Sequence, residues 1–97
     1  MSYIVHLTED AQQDVIDIML YLSQFYPGTP ERFYAALERN FTRLEFNPRC
    51  FPRYEHWPEY RKFNVKNYLV FYLIDDETQS VIIYRIRHGM QDLQNNW

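Results

Sequence analysis

Apolar residues in the first third of the chain recur at the spacing of one helix face. They are Ala11, Val15, Ile18, Met19 and Leu22. Thr8 is a suitable N-cap, and Glu9 and Asp10 follow it in the first turn, where carboxylates interact favourably with the helix dipole. The pattern predicts a helix from Thr8 to about Phe25, ending before Pro27-Gly28.

A second helical pattern begins at Thr29-Pro30-Glu31, where proline occupies the first helical position. Its apolar stripe consists of Phe33, Leu37, Phe41 and Leu44. Asn47-Pro48 marks its end. A connection of about four residues predicts that the two helices pack as an antiparallel hairpin.

The remaining apolar runs have the lengths and spacing of strands. Tyr3–Leu7 precedes the helices, and 60–65, 69–74 and 81–86 follow them. Residues 69–74 are continuously apolar, as in a central strand covered on both faces. Short turns connect the last three strands: Lys66-Asn67, where asparagine tolerates the positive φ of a tight hairpin turn, and 75–79. We expect an ordered loop at 50–59 and one helical turn in the polar tail.

The element order is therefore β-α-α-β-β-β, which predicts an α+β fold in a single domain spanning residues 1–97. The last three strands should form an antiparallel meander. The helical hairpin should bury its apolar stripe against one face of that sheet.

Composition narrows the function classes. The net charge is −3, so no overall basic field favours nucleic acid. All ten basic residues lie between Arg32 and Arg87, which places any anion-facing site in the second half. The single cysteine excludes an internal disulfide framework and a cysteine-based zinc site. Neither a signal peptide nor an apolar run long enough for a membrane helix is found, so we expect a cytoplasmic protein without membrane contact.

The segment from Tyr60 to Leu93 carries the most specific pattern. It consists of Arg61 before a short strand, a turn, the sequence YLVFY, an acidic turn and a last strand ending in His88-Gly89. It resembles the ParE-like branch of the RelE/ParE superfamily of bacterial type II toxin–antitoxin systems. The early Ala11, Asp14, Ile18 and Tyr21 helix resembles the same family. The resemblance implies a growth-inhibiting toxin of the plasmid-stabilisation type, neutralised by a cognate antitoxin, without a cofactor. A homodimer or a toxin–antitoxin hetero-oligomer is possible on this basis.

Two mechanisms occur in the superfamily. RelE-like members cleave mRNA on the ribosome, whereas ParE-like members act on DNA gyrase. RelE-like enzymes carry an arginine after the tyrosine of the middle strand, but here Leu69 follows Tyr68. They also carry an arginine after the last strand, and many end with a tyrosine or histidine that acts as an acid or base. Here the corresponding region has no arginine and no tyrosine follows Tyr84. The resemblance thus favours a gyrase-directed toxin that is not an enzyme. Met90-Gln91 stands where ParE-like chains often carry Ala-Arg, so an inactive protein that still binds antitoxin stays open, as does a ribonuclease.

Cationic residues near the last strand are the candidate site. We expect a target-binding cluster at one end of the sheet, formed by Arg61, Lys62, Arg85, Arg87, His88 and Gln91. If the protein were a ribonuclease, its catalytic candidates would be Arg61, Arg85 and His88. The alternative is that these arginines form ordinary surface ion pairs.

Other candidate residues favour structural roles. The histidines lack metal-site spacing, so no metal is expected. Cys50 has no patterned histidine partner and is interpreted as a packed or idle thiol. The aromatic residues of 51–60 could stack bases but more simply cover a sheet edge. Asp10, Asp14 and Asp17 are expected to form a solvated helix face, or to meet basic residues of an antitoxin.

Overall fold

A computed structural model describes residues 2–89 of the chain. Its elements are β1 (Ile4–Leu7), α1 (Glu9–Leu22), α2 (Thr29–Phe46), β2 (Arg61–Val65), β3 (Tyr68–Asp75) and β4 (Ser80–His88). The predicted α+β class and element order are confirmed. The helical turn expected in the polar tail lies outside the described residues.

Helix α1 begins as predicted and ends earlier than predicted. The Thr8 hydroxyl accepts a hydrogen bond from the Ala11 N–H at 3.0 Å, which caps the first turn. The helix ends at Leu22, not near Phe25. The N–H groups of Gln24 and Phe25 instead bond to carbonyls three residues back, at 3.2 and 3.1 Å. This tighter pattern closes the last turn before Pro27.

Helix α2 follows a six-residue connection, 23–28, slightly longer than the sequence suggested. Gly28 precedes the helix with φ +85°, a left-handed conformation that glycine adopts without a Cβ clash. The helix ends before Asn47, as predicted, and buries Phe33, Leu37 and Leu44. Burying such side chains contributes about 1.5–3 kcal/mol each, which fixes the face that α2 turns toward the sheet.

The four strands form one sheet in the order β1-β4-β3-β2. Strands β2, β3 and β4 form the predicted antiparallel meander. Strand β1 pairs in parallel with β4, an arrangement that the sequence pattern did not specify. In the β2–β3 turn, the positive φ of +56° falls on Lys66 and not on Asn67, the residue that tolerates it better.

Apolar residues are buried on both faces of the meander. One face packs against α1 and α2 and contains the main cluster, including Val70, Tyr72 and Ile83. Phe71 alternates to the other face, where it packs with Tyr54 of the 50–59 loop. The expectation of a central strand covered on both faces is confirmed.

A β-bulge changes the course of β4. Phe71 pairs with Arg85 and Tyr72 pairs with Ile83, so Tyr84 is an extra residue on β4. Strand β1 accompanies β4 only as far as Ile83. The Thr8 N–H bonds to the Ile83 carbonyl at 3.1 Å and ends that pairing. Beyond this point, the outer edge of β4 faces helix α1.

Candidate functional site

The space between α1 and the end of β4 forms an open cavity of about 420 Å³, called here the β4 groove. Helix α1 contributes Asp14, Asp17, Ile18 and Tyr21, and the sheet contributes Tyr68 and residues 85–88. The groove lies where β1 has ended and β4 continues beyond the bulge. It combines an apolar floor with carboxylates on one wall and cations on the other.

Asp14 and Arg85 form a bidentate salt bridge across the groove. Arg85 Nε donates to Asp14 Oδ2 at 2.8 Å, and Arg85 Nη2 donates to Asp14 Oδ1 at 3.0 Å. The Ile86 backbone N–H also donates to Asp14 Oδ2, at 2.9 Å. The Asp14 carboxylate therefore continues the hydrogen bonding of β4 where β1 has ended. Its hydrogen bonds raise the pKa of Arg85 further above the ordinary value.

This salt bridge changes the interpretation of both residues. Asp14 was expected on a solvated helix face, but its side chain is only 13% exposed. Arg85 was expected to contact a target, but its guanidinium is held by Asp14. The simpler alternative of an ion pair holds for Arg85, but this pair is partly buried and does not lie on the open surface. Asp10 and Asp17 are exposed, as expected.

Arg87 and His88 occupy the outer end of the groove. The His88 ring packs edge-on against the ring of buried Tyr68, with centroids 5.3 Å apart. Tyr68 also packs edge-on against Phe33 of α2, with centroids 5.2 Å apart. Burial raises the pKa of the Tyr68 hydroxyl, so this phenol stays neutral near neutral pH. Arg87 and His88 are the cationic candidates that this groove presents beyond the Asp14–Arg85 pair.

Arg61 lies in a different place. It pairs with Tyr72 at the start of β2 and lines a small cavity with Arg49 and Arg53. Lys62 pairs with Phe71, and its ammonium lies 5.3 Å from the centre of the Tyr54 ring. The expectation of a single cationic cluster is therefore wrong, because Arg61 and Lys62 lie on β2 while Arg85–His88 line the groove beside α1. Gln91, the last candidate, lies outside the described residues.

The remaining candidate residues have simple structural explanations. Cys50 is exposed, yet partial desolvation of its sulfur raises the pKa of the thiol and disfavours a thiolate nucleophile. Among residues 2–89, no group of three or more potential metal ligands is found. Tyr54 and Trp57 pack beside Phe71 and cover the sheet, with the Tyr54 and Phe71 centroids 5.1 Å apart. Within the same residues, no helix is long and apolar enough to cross a membrane.

Sequence reasoning missed three features. Asp14 could not be matched to Arg85, because the two are 71 residues apart. Tyr68 lies just before the predicted strand 69–74, and its place beneath His88 depends on strand register. Arg49 and Arg53 were not singled out, although their spacing near Arg61 in a proline-containing loop was a weak signal of a basic surface.

Comparison with known proteins identifies the family. A model described as "ParE toxin of type II toxin-antitoxin system, parDE" matches residues 5–93. The chain belongs to the ParE toxin family. A search of curated proteins returns no match.

Solved structures with this fold come from both branches of the superfamily. The toxin shares 26% identity with a chain of the RelBE2 toxin–antitoxin complex from Mycobacterium tuberculosis, at a TM-score of 0.67, covering 91% of this chain and 99% of that one. It shares 14% identity with a chain of the chromosomal ParDE system from P. aeruginosa, at a TM-score of 0.72, covering 90% and 96%. The isolated E. coli RelE toxin matches with 14% identity and a TM-score of 0.66, covering 96% and 90%. The last two show the fold alone.

Proposed function

We propose that this toxin inhibits growth by acting on DNA gyrase, and that a cognate antitoxin neutralises it. The observation that carries the proposal is the separation of the cationic candidates. Arg61 lines a cavity with Arg49 and Arg53, whereas Arg85 and His88 line the β4 groove. The three residues that would have served a ribonuclease do not face one common cavity.

Cleavage of RNA through its 2′-hydroxyl needs several groups around one phosphate. A base activates the hydroxyl, a cation stabilises the phosphorane and an acid protonates the leaving oxygen. In the β4 groove, Arg85 is already bonded to Asp14, and the phenol of Tyr68 is neutral and 6% exposed. Asp17 also brings a carboxylate to this groove, which would repel an RNA phosphate, whereas the charge of Asp14 is neutralised by Arg85.

The same groove suits a protein target. It offers Tyr21, half exposed on α1, beside Arg87 and His88 on β4. Aromatic and arginine side chains are the commonest energetic centres of protein interfaces. We assign Arg87 and His88 to target binding, and Arg85 to holding the groove in shape through Asp14. Gln91 stays a candidate contact by its proximity in sequence to these residues.

An antitoxin partner is supported by the family and by the relatives described as toxin–antitoxin complexes. In this chain, an antitoxin has apolar surface available on the helices: Ile16, Leu20 and Tyr34 are 51%, 64% and 42% exposed. An amphipathic segment that covers such residues would gain about 25 cal/mol for each Å² of apolar surface buried.

The decisive experiment adds the purified toxin to gyrase supercoiling and cleavage assays. Accumulation of cleaved DNA, reversed by the antitoxin, is the expected result. A folded toxin in excess that leaves gyrase unaffected would overturn the proposal. A parallel ribosome-dependent mRNA cleavage assay then decides whether the chain is a RelE-like ribonuclease, and inactivity in both assays indicates an antitoxin-binding protein without toxicity.

Matched variants test which residues contact the target. Arg87→Ala should lose toxicity while keeping the circular dichroism spectrum and thermal stability of the wild type. Arg39→Ala, on the exposed face of α2, removes the same charge and should stay toxic. Asp14→Ala tests the shape of the β4 groove separately from the contact assigned to Arg87, because it breaks the salt bridge but keeps both arginines of β4. Full toxicity of Arg87→Ala would remove this residue from the target-binding surface.

A further inference from the structure

The cavity that contains Arg61 lies away from the β4 groove, beside the outer edge of β2. It has a volume of about 110 Å³ and is lined by Arg49, Arg53 and Arg61, together with Pro58, Glu59 and Ile74. Three arginines therefore line one small space. Neither the gyrase proposal nor antitoxin binding uses this cavity.

The backbone brings two of these arginines directly opposite each other. Arg53 and Arg61 form an antiparallel bridge at the edge of β2. The flanking hydrogen bonds run from the Lys62 N–H to the Pro52 carbonyl at 3.2 Å and from the Tyr54 N–H to the Tyr60 carbonyl at 2.8 Å. Arg53 and Arg61 are thus a non-hydrogen-bonded pair, the type in which facing side chains come closest. Like charges placed directly opposite destabilise a sheet.

Protein groups neutralise this charge only in part. Arg49 pairs with Asp76 at 2.5 Å, and Glu59 lies at the cavity. If Asp76 neutralises Arg49 and Glu59 neutralises one further arginine, one of the three positive charges remains. Among residues 2–89, neither Arg53 nor Arg61 forms an ion pair with a carboxylate.

Both guanidinium groups donate to backbone carbonyls. Arg61 Nη1 donates to the Phe51 carbonyl at 2.7 Å, and Arg53 Nη1 donates to the Pro58 carbonyl at 3.4 Å. A guanidinium has five N–H donors, so each keeps donors for a ligand beyond these bonds. A tetrahedral oxyanion presents oxygens in several directions at once and accepts from several guanidinium forks, whereas a planar carboxylate matches a single fork.

We propose that Arg53 and Arg61, beside the Asp76-paired Arg49, form a binding site for a phosphate group, either in a nucleic-acid strand or as free phosphate. The bound oxyanion relieves the repulsion between Arg53 and Arg61 across the β2 edge. The site does not depend on the identity of the toxin's target.

Thermal unfolding tests the site directly. With sodium chloride replaced by inorganic phosphate or pyrophosphate at constant ionic strength, the wild-type toxin should gain thermal stability, because a ligand that binds only the folded state raises it by mass action. Arg53→Gln should be at least as stable as wild type in chloride and should lose the phosphate-dependent gain. Arg39→Gln, which removes an equal charge on α2, should keep it. Equal gains in acetate, or an equal loss of the gain in Arg39→Gln, would overturn the proposal.

Binding to labelled oligonucleotides distinguishes the two phosphate sources. If a nucleic-acid strand binds at this site, fluorescence anisotropy should show about tenfold weaker binding for Arg53→Gln. The slope of log binding constant against log salt concentration should also be about 0.7 smaller, because one contact to a single strand is lost. Stabilisation by inorganic phosphate without oligonucleotide binding assigns the site to a free phosphate. Arg53→Lys keeps the charge without the planar fork, so it should retain only part of either effect. Absence of both effects in the folded wild-type toxin refutes the site.

Discussion

The salt bridge between Asp14 and Arg85 gives the sharpest stability prediction. Its carboxylate receives three hydrogen bonds, two from Arg85 and one from the Ile86 N–H. The two side chains are 13% and 25% exposed, so water screens the pair only in part. We expect Asp14→Ala to lower the free energy of unfolding more than any substitution of an exposed charge would.

The loss of unfolding free energy follows from the contacts that each substitution removes. A hydrogen bond to a charged group contributes about 1.5–3 kcal/mol, and exposed ion pairs contribute about 0–1 kcal/mol. For this partly exposed group, Asp14→Ala should cost about 2–3 kcal/mol in total, since it also leaves the Ile86 N–H without its acceptor. Arg85→Ala should cost about 1–2 kcal/mol, because the Asp14 carboxylate keeps its bond to the backbone.

Urea unfolding of both single variants and the double variant measures the interaction between the two side chains. The coupling energy should be about 1 kcal/mol and should fall as salt is added. Asp17→Ala, on the same helix but exposed, is the matched control and should change stability by less than about 0.5 kcal/mol. A coupling near zero, or equal effects of Asp14→Ala and Asp17→Ala, would show that the salt bridge does not hold β4 to α1.

Three further predictions concern other parts of the fold. Tyr72→Phe removes the buried hydrogen bond from the phenol to the Pro48 carbonyl, 2.7 Å long, and should lower the unfolding free energy in urea by about 1–2 kcal/mol; no measurable change would exclude a role for that bond. Arg49 holds the pKa of Asp76 below its ordinary 3.8, so this pair's stabilisation exists above that pH and is lost as pH falls through the lower folded-state pKa. The wild type should therefore exceed Asp76→Asn in stability at neutral pH and lose that advantage in acid, and a pH-independent difference would contradict the linkage. Lys66→Val places a β-branched residue at φ +56° and should lower the melting temperature, whereas Lys66→Asn should not.

The elements of this protein arise from local sequence patterns. The apolar spacing from Ala11 to Leu22 specifies an amphipathic helix, and Thr8 specifies where it begins. The short turns of the second half require neighbouring strands to pair antiparallel. These features depend on residues close in the chain, so the fold class could be predicted without coordinates.

The site depends on contacts that no local pattern encodes. Strand β1 lies in parallel beside β4 and stops at Ile83, and the bulge at Tyr84 shifts the register of the rest of β4. Those two features decide that Arg85 meets Asp14 rather than solvent. They are set by the packing of α1 against β4, which involves residues some 71 positions apart.

The sequence by itself determined that cations concentrate in the second half of the chain and that the order of elements resembles that of a RelE/ParE toxin. Only the tertiary structure decided how those cations are divided. Strand pairing places Arg61 opposite Arg53 at the β2 edge, and it carries Arg87 and His88 to the far end of β4. Charge is a property of each residue, but which charges face one another depends on register, and register is fixed when the whole apolar core is buried at once.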